Sequence, residues 1–229
     1  MLNVTELEAY YGESIILNQV NLQVDKGQVV CLLGRNGVGK STFLKSIMGL
    51  VATPKGSIRF DGSEMISRPS YQRARQGIGY VPQGRDIFPQ LTVEENLLLG
   101  LEVSGGKGAI EQTYELFPVL KTMLKRKGGA LSGGQQQQLA IARALVSKPK
   151  MLILDEPTEG IQPSVIQDIG RVIKYLKSEG DITILIVEQY LEFVTDVSDY
   201  YYVMDKGRIV LEGRVEDLNQ EEIQKKIAI

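Results

Sequence analysis

Apolar Leu2, Val4 and Leu7 alternate with polar residues, as do Val20, Leu22 and Val24 within 15–24, the pattern of strands with one buried face. Asp25-Lys26-Gly27 then reads as a turn, and the stretch over 28–33, apolar after Gln28, predicts a strand buried on both faces. After a glycine-rich turn the spacing becomes helical over 40–48, while 57–60 reads as a short strand ending at the hairpin signal Asp61-Gly62. The middle, 93–146, is helical in character. It is broken at Gly105-Gly106 and Gly128-Gly129 and closes with a helix over 135–146. A buried strand over 151–154, a helix over 164–177 and a buried strand over 182–187 follow, and strands alternating with helices predict a largely parallel sheet. Runs over 200–204 and 208–211 around Asp205-Lys206-Gly207 predict a hairpin, closed by a C-terminal helix.

Composition alters this picture little. With 229 residues, 43% of them hydrophobic, the chain can bury a substantial core, and one domain is the default. A formal charge of -2 supplies no global attraction to nucleic acid, so no such partner is expected, and Lys125-Arg126-Lys127 reads as a solvated loop or phosphate-side surface. The single cysteine, Cys31, can build neither a disulfide framework nor a zinc site and reads as a small buried hydrophobe. Apolar runs stay far below the roughly 20 residues of a membrane-spanning helix. The start lacks a basic segment followed by an apolar run, so cytosolic exposure is expected.

The chemistry starts at Gly34-Arg35-Asn36-Gly37-Val38-Gly39-Lys40-Ser41, followed by Thr42, between an apolar strand and a helix. This is the G-x-x-x-x-G-K-[ST] phosphate loop, which arises by chance in about one chain in a hundred of this length. Its glycines let backbone amides converge on phosphate and the helix N-terminus adds positive potential. Lys40 would neutralise terminal phosphates, and Ser41 would offer its hydroxyl to magnesium. The natural complement is an acidic pair ending a second buried strand, which Asp155 and Glu156 supply. Asp155 would hold magnesium and Glu156 would accept a proton from the attacking water; the plain alternative is two solvated carboxylates. Leu131-Ser132-Gly133-Gly134-Gln135 precedes a helix and presents a second anion-binding end, although Ser132 could simply cap that helix.

In that order, with Gln83 between the phosphate loop and Leu-Ser-Gly-Gly-Gln, the entire chain resembles the ABC ATPase family. The resemblance implies an α/β P-loop NTPase fold with a mostly parallel core sheet, an N-terminal antiparallel β-subdomain and a helical subdomain. A single ATP-binding domain would span 1–229, its core at about 1–83 and 148–229 and its helical subdomain at about 84–147. ATP and Mg2+ would bind between two cassettes placed head to tail. Carried over by position, Tyr11 would stack on adenine, unless it only packs, and Gln83 would touch magnesium and report to the channel. Ser132, Gly133, Gly134 and Gln135 would grip the partner's ATP. The implied assembly comprises membrane channel subunits, a second ATPase, identical or not, and a periplasmic solute-binding protein, with this chain on the cytoplasmic face of the inner membrane.

The chain departs from the family at three places. It has no histidine, and Gln189 stands where the family's phosphate-contacting histidine is expected, an amide that cannot carry a positive charge. Slower hydrolysis and pairing with a histidine-bearing sister subunit are the expectation. Gln138 replaces an arginine, and Gly160-Ile161-Gln162-Pro163 replaces an aspartate-bearing loop. Residues 77–97 resemble ATPases of branched-chain amino acid and urea or amide importers. Within these, 31–40, 159–164 and 187–190 resemble the urea-importer subunit more, giving urea as the expected solute and branched-chain amino acids as the alternative. Ile87, Phe88 and Pro89 look exposed and suited to a channel helix. A soluble non-transport ABC ATPase and a weakly hydrolytic ATP clamp are the competing classes.

Overall fold

The computed structural model describes residues 1–51, 55–103, 109–221 and 223. In chain order they form β1 (Leu2–Tyr11), β2 (Ser14–Val24), β3 (Val29–Leu33), α1 (Lys40–Met48), β4 (Lys55–Phe60), β5 (Ser63–Glu64), α2 (Ser70–Arg75) and β6 (Ile78–Val81). A helical stretch comprises α3 (Val93–Val103), α4 (Ile110–Leu116), α5 (Pro118–Lys121) and, after a 3-10 turn at Gly128–Ala130, α6 (Gly133–Val146). Then come β7 (Met151–Asp155), α7 (Pro163–Glu179), β8 (Thr183–Glu188), α8 (Leu191–Val197), β9 (Tyr200–Asp205) and β10 (Arg208–Arg214).

Two sheets result. One is antiparallel in the order β2-β1-β4-β5, and the other is ordered β10-β9-β3-β8-β7-β6. In the larger sheet β9, β3, β8, β7 and β6 run parallel and the edge strand β10 is antiparallel. This is the expected α/β P-loop NTPase fold with its antiparallel N-terminal sheet and its helical segment. Strand β1 extends past the predicted alternation because it is bulged: Glu6 has a φ of 48° and Gln19 in β2 has 53°. The extra residue moves the buried positions from Leu2 and Val4 to Leu7 and Ala9, keeping one face apolar across the irregularity.

Strand β3 is buried throughout, and its alternate residues serve two cores. Val30 and Leu32 face a core shared by the antiparallel sheet and α1, with Phe43, Leu44 and Ile47. Val29, Cys31 and Leu33 face a core shared with α6, α7 and α8. The phosphate loop leaves the C-terminal end of this doubly packed strand, so its position is rigidly referenced to both layers. Cys31 is fully buried, and desolvation pushes its thiol well above the ordinary value, as a small core hydrophobe requires.

Several short elements escape the hydrophobic pattern: α2, α8 and β6 span six, seven and four residues, too few to display a period. Helix α6 starts two residues before the predicted helix because Ser132 caps it, and α7 runs to Glu179 before stopping at Gly180 in a left-handed conformation. The break at Gly105-Gly106 lies outside the described residues, as does most of the C-terminal helix. Among the described residues, no helix is long and apolar enough to cross a membrane.

Arg73 in α2 is 1% exposed, and the one carboxylate whose charge reaches it, Glu64, makes no direct ion pair with it. Its guanidinium instead donates to the carbonyls of Ser46 and Ile47 at the end of α1 and to those of Ile66 and Arg68. A cation at the negative end of α1 completes carbonyls that the helix itself leaves unpaired. Arg73→Ala strands these buried acceptors and lowers unfolding free energy by about 2–4 kcal/mol, read from the urea midpoint at an unchanged slope.

Candidate nucleotide site

The loop between β3 and α1 turns through Gly37 (φ 81°) and Gly39 (φ 114°), a region closed to most side chains. A Cβ on Gly39 would meet the Leu17 side chain at 3.0 Å and the Ile16 carbonyl at 3.3 Å, so the turn also needs the missing side chain to sit against β2. A cleft of about 410 Å³ opens beside it, lined by Tyr11, Ile16, Asn36, Gly37, Gly39, Lys40, Ser41, Thr42, Gln83 and Glu156. Tyr11 is 52% exposed and lines this cleft. Arg35 is exposed, while Val38 packs against the core of the antiparallel layer.

Lys40 is only 4% exposed. Its ammonium donates to the carbonyls of Gly34 (2.8 Å) and Arg35 (2.9 Å) and lies 3.3 Å from Glu156 Oε1. Glu156 holds a left-handed backbone (φ 49°) just past β7, and its amide donates to the carbonyl of Val187 in β8. Its carboxylate accepts from Gln189 Nε2 at 3.0 Å and from Gln83 Nε2 at 3.3 Å. Gln189 Nε2 also donates to Asn36 Oδ1 in the phosphate loop at 2.8 Å, and Gln83 Nε2 donates to Glu159 at 2.9 Å. Lys40, Gln83, Glu156 and Gln189, distant in sequence, therefore meet at one carboxylate.

Asp155 is 2% exposed. Its Oδ2 accepts from the Tyr80 hydroxyl at 3.4 Å, and its buried Oδ1 has no hydrogen-bond partner. Burial raises its carboxyl above the ordinary carboxylate value and the charge of Glu156 adds to this, opposed by the Ser41 hydroxyl, Lys40 and Tyr80. An orphaned hard oxygen beside a serine hydroxyl and a phosphate cradle is the donor chemistry that suits Mg2+.

Ser132, Gly133, Gly134 and Gln135 stand elsewhere, outside the lining of this cleft. Ser132 does cap α6: its Oγ accepts from the Gln135 amide at 3.3 Å, and Gln135 Oε1 accepts from the Ser132 amide at 3.0 Å. This reciprocal pair fixes the turn and aims the positive end of α6 outward. Gln138, one helical turn further along, is buried and reaches Asp168 of α7 at 3.4 Å. Ile161 packs on the core, and Gln162 precedes Pro163 at the start of α7 without a side-chain cap.

Sequence reasoning passed over Glu188, the buried carboxylate that ends β8. It accepts from the amide and hydroxyl of Thr158 and from the amides of Gln189 and Tyr190. One side chain thus anchors the loop after Glu156 to the loop carrying Gln189. The available signal was a charge ending an otherwise apolar strand, the same signal that exposed Asp155 and Glu156.

Because folding raises the Asp155 pKa, the buried carboxylate costs stability once pH exceeds the unfolded value of about 4, and the cost vanishes below it. Asp155→Asn accordingly melts higher than the parent chain at neutral pH without nucleotide, and the difference narrows as pH falls through the carboxylate range, as followed by thermal denaturation.

A sequence model of the ABC transporter family matches residues 17–159. The high-affinity branched-chain amino acid transport ATP-binding protein BraG of Pseudomonas aeruginosa is 42% identical over 214 residues, covering 92% of this chain and 91% of that protein. The probable branched-chain amino acid transport ATP-binding protein LivF of Archaeoglobus fulgidus is 38% identical over 232 residues, 100% of this chain and 98% of that one. A dimeric ATP-binding cassette in a post-hydrolysis state bound to ADP and Pi has a TM-score of 0.84 at 26% identity, covering 95% of this chain and 100% of the other. With a phosphate-loop fold, a family match across more than half its length and relatives aligned nearly end to end, the chain belongs to the ABC transporter family as an ATP-binding, ATP-hydrolysing subunit.

Proposed function

We propose that this chain powers a membrane channel by closing around MgATP against a second cassette, a copy of itself or a non-identical sister. The observation that carries this is the separation of the two anion-binding ends: the cleft at Lys40 is lined from Tyr11 to Glu156, with residues 131–135 outside it. Each half-site is completed only by another chain, and the structural relative with ADP and Pi is dimeric. The unit acts as one nucleotide-binding domain, with its core at about 1–83 and 148–229 and its helical part between.

In this reading Tyr11 stacks on adenine, the amides of 34–42 and Lys40 hold the phosphates, and Ser132, Gly133, Gly134 and Gln135 close on the partner's nucleotide. Ser41, Asp155 and Gln83 hold Mg2+. When bound, the metal supplies positive charge to the phosphate oxygens. Glu156 accepts the proton of the attacking water, and its strained backbone and three nitrogen contacts hold the carboxylate in place before reaction. Gln189 orients Glu156 and Asn36 together but brings no positive charge, which favours slow turnover at this site and a sister subunit with the family's histidine. The same amide favours the second reading, an ATP clamp with weak hydrolysis, against which Glu156 weighs.

A groove of about 370 Å³ between Tyr80, Phe88, Leu99, Ala140, Arg143 and Ala144 suits a short helix of the channel subunit. Phe88 is 49% exposed with the Arg143 guanidinium 5.1 Å above its ring, whereas Ile87, expected to be exposed, packs against the core. Arg143 Nη1 is buried without an acceptor, an available donor for a carboxylate or a helix C-terminus. The chain would then lie on the cytoplasmic face of the inner membrane beside channel subunits served by a periplasmic solute-binding protein. The named relatives favour branched-chain amino acids over urea as the solute.

Glu156→Gln lowers turnover of the assembled transporter by about 10²–10⁴-fold while retaining ATP; undiminished phosphate release would remove Glu156 from its role. Lys40→Ala weakens MgATP binding by about 10- to 100-fold, measured by equilibrium titration. A cysteine at Phe88 crosslinks to the channel in the assembled complex; labelling of the free chain without a crosslink would place the channel elsewhere.

A further inference from the structure

The turn after Gln83 puts three successive residues in the left-handed region: Gly84 (φ 85°), Arg85 (φ 76°) and Asp86 (φ 48°). Two of them carry side chains, so the conformation costs energy that the surroundings must offset. The turn is held by the Arg85 amide on the Pro82 carbonyl, the Asp86 amide on the Gly84 carbonyl, and the Asp86 carbonyl accepting from Arg143 at 2.7 Å. What it accomplishes is to aim the Arg85 side chain. A Cβ built on Gly133 would lie 3.0 and 3.1 Å from the two terminal guanidinium nitrogens and 3.2 Å from the carbon between them. One of those nitrogens also lies 3.8 Å from where a Cβ on Gly160 would stand. The guanidinium fills space that a side chain at Gly133 would contest, while at Gly160 it would make only ordinary contact. It is half-buried, and among the described residues it has neither a hydrogen-bond acceptor nor a carboxylate.

A half-buried cation lacking an acceptor, held by a strained turn against the capped start of α6, is prepared for an anion that arrives from outside the chain. We infer that Arg85 donates to the triphosphate bound on the partner cassette when Ser132–Gln135 close over it, adding a full charge to the partial charge of the helix N-terminus. This rests on the two-cassette reading above. Arg85 is then a cross-subunit binding residue, and its location next to Gln83 ties the segment facing the channel to the grip on the partner's nucleotide. Gly133 has a second duty, since its missing side chain leaves room for this guanidinium.

The test uses the full chain carrying Glu156→Gln with MgATP, its association followed by light scattering and its monomer affinity by a fluorescent ATP analogue below the association concentration. Adding Arg85→Ala raises the ATP concentration for half-maximal association at least tenfold while monomer affinity stays within twofold. Arg85→Lys restores part of the loss. Association as ready as the parent's in Arg85→Ala overturns the inference, as does a parallel loss of monomer affinity, which would place the effect within one chain. A Glu156→Gln parent that stays monomeric with MgATP defeats the two-cassette reading first, and the inference with it.

Discussion

The buried pair of Lys40 and Glu156 is the interaction around which the site is arranged. An ammonium and a carboxylate this deeply desolvated are tolerable only with further partners, and both have them: loop carbonyls for Lys40, two amide side chains for Glu156. The lysine's contacts are made to atoms of the phosphate-loop motif, so a triphosphate bound there, as proposed, would compete for the same ammonium that restrains Glu156. On that reading, release of Glu156 and capture of phosphate would be coupled through one nitrogen. The left-handed backbone at Glu156 fits this economy, because strain at the residue that must be placed accurately is countered by the amide bond to Val187 and by the packed strands on either side.

That coupling would be loose without the sheet beneath it. Strand β3 carries the loop and is gripped from both faces by separate apolar cores, while β7 and β8 deliver Asp155, Glu156, Glu188 and Gln189 to the same end of the sheet. Glu188 gathers the loops leaving β7 and β8 through four donors, so neither loop can shift without breaking a buried charge-assisted bond. Arg73 performs the corresponding task at the far end of α1, on carbonyls of the helix whose N-terminus faces phosphate.

Which parts of this were legible in the sequence follows from range. The phosphate loop, the acidic pair after an apolar strand and the Ser-Gly-Gly-Gln turn are contiguous, and their chemistry and backbone demands are local. Glu188 with Thr158, Arg73 with Ser46, and Arg85 with Gly133 are separated by long stretches of chain, so no periodicity announces them. The bulges at Glu6 and Gln19 lie between: the parity of buried positions changes at Leu7, but a parity change resembles an irregular strand until its partner is known. Ile87 was misplaced for the same reason, since an apolar residue in a loop gives no hint of which core it can reach.

Gln189, standing where the resemblance places a histidine, bears on the rate through its geometry. An amide nitrogen at this position satisfies Asn36 and Glu156 at once, with both of its N–H bonds committed. For Gln189 to donate to a phosphate, one of those bonds must be given up, whereas an imidazolium would bring a positive charge that compensates the exchange. The cost falls on the charged partner, because losing a donor to Glu156 leaves more of its charge uncompensated in a buried site. A neutral amide here therefore stabilises the arrangement before chemistry more than the developing charge during it, the reverse of what lowers a barrier. If turnover at this site is slow, Gln189 is one source of it beside the departures at Gln138 and residues 160–163, and a charge supplied from a facing subunit, as proposed for Arg85, would offset what the amide lacks.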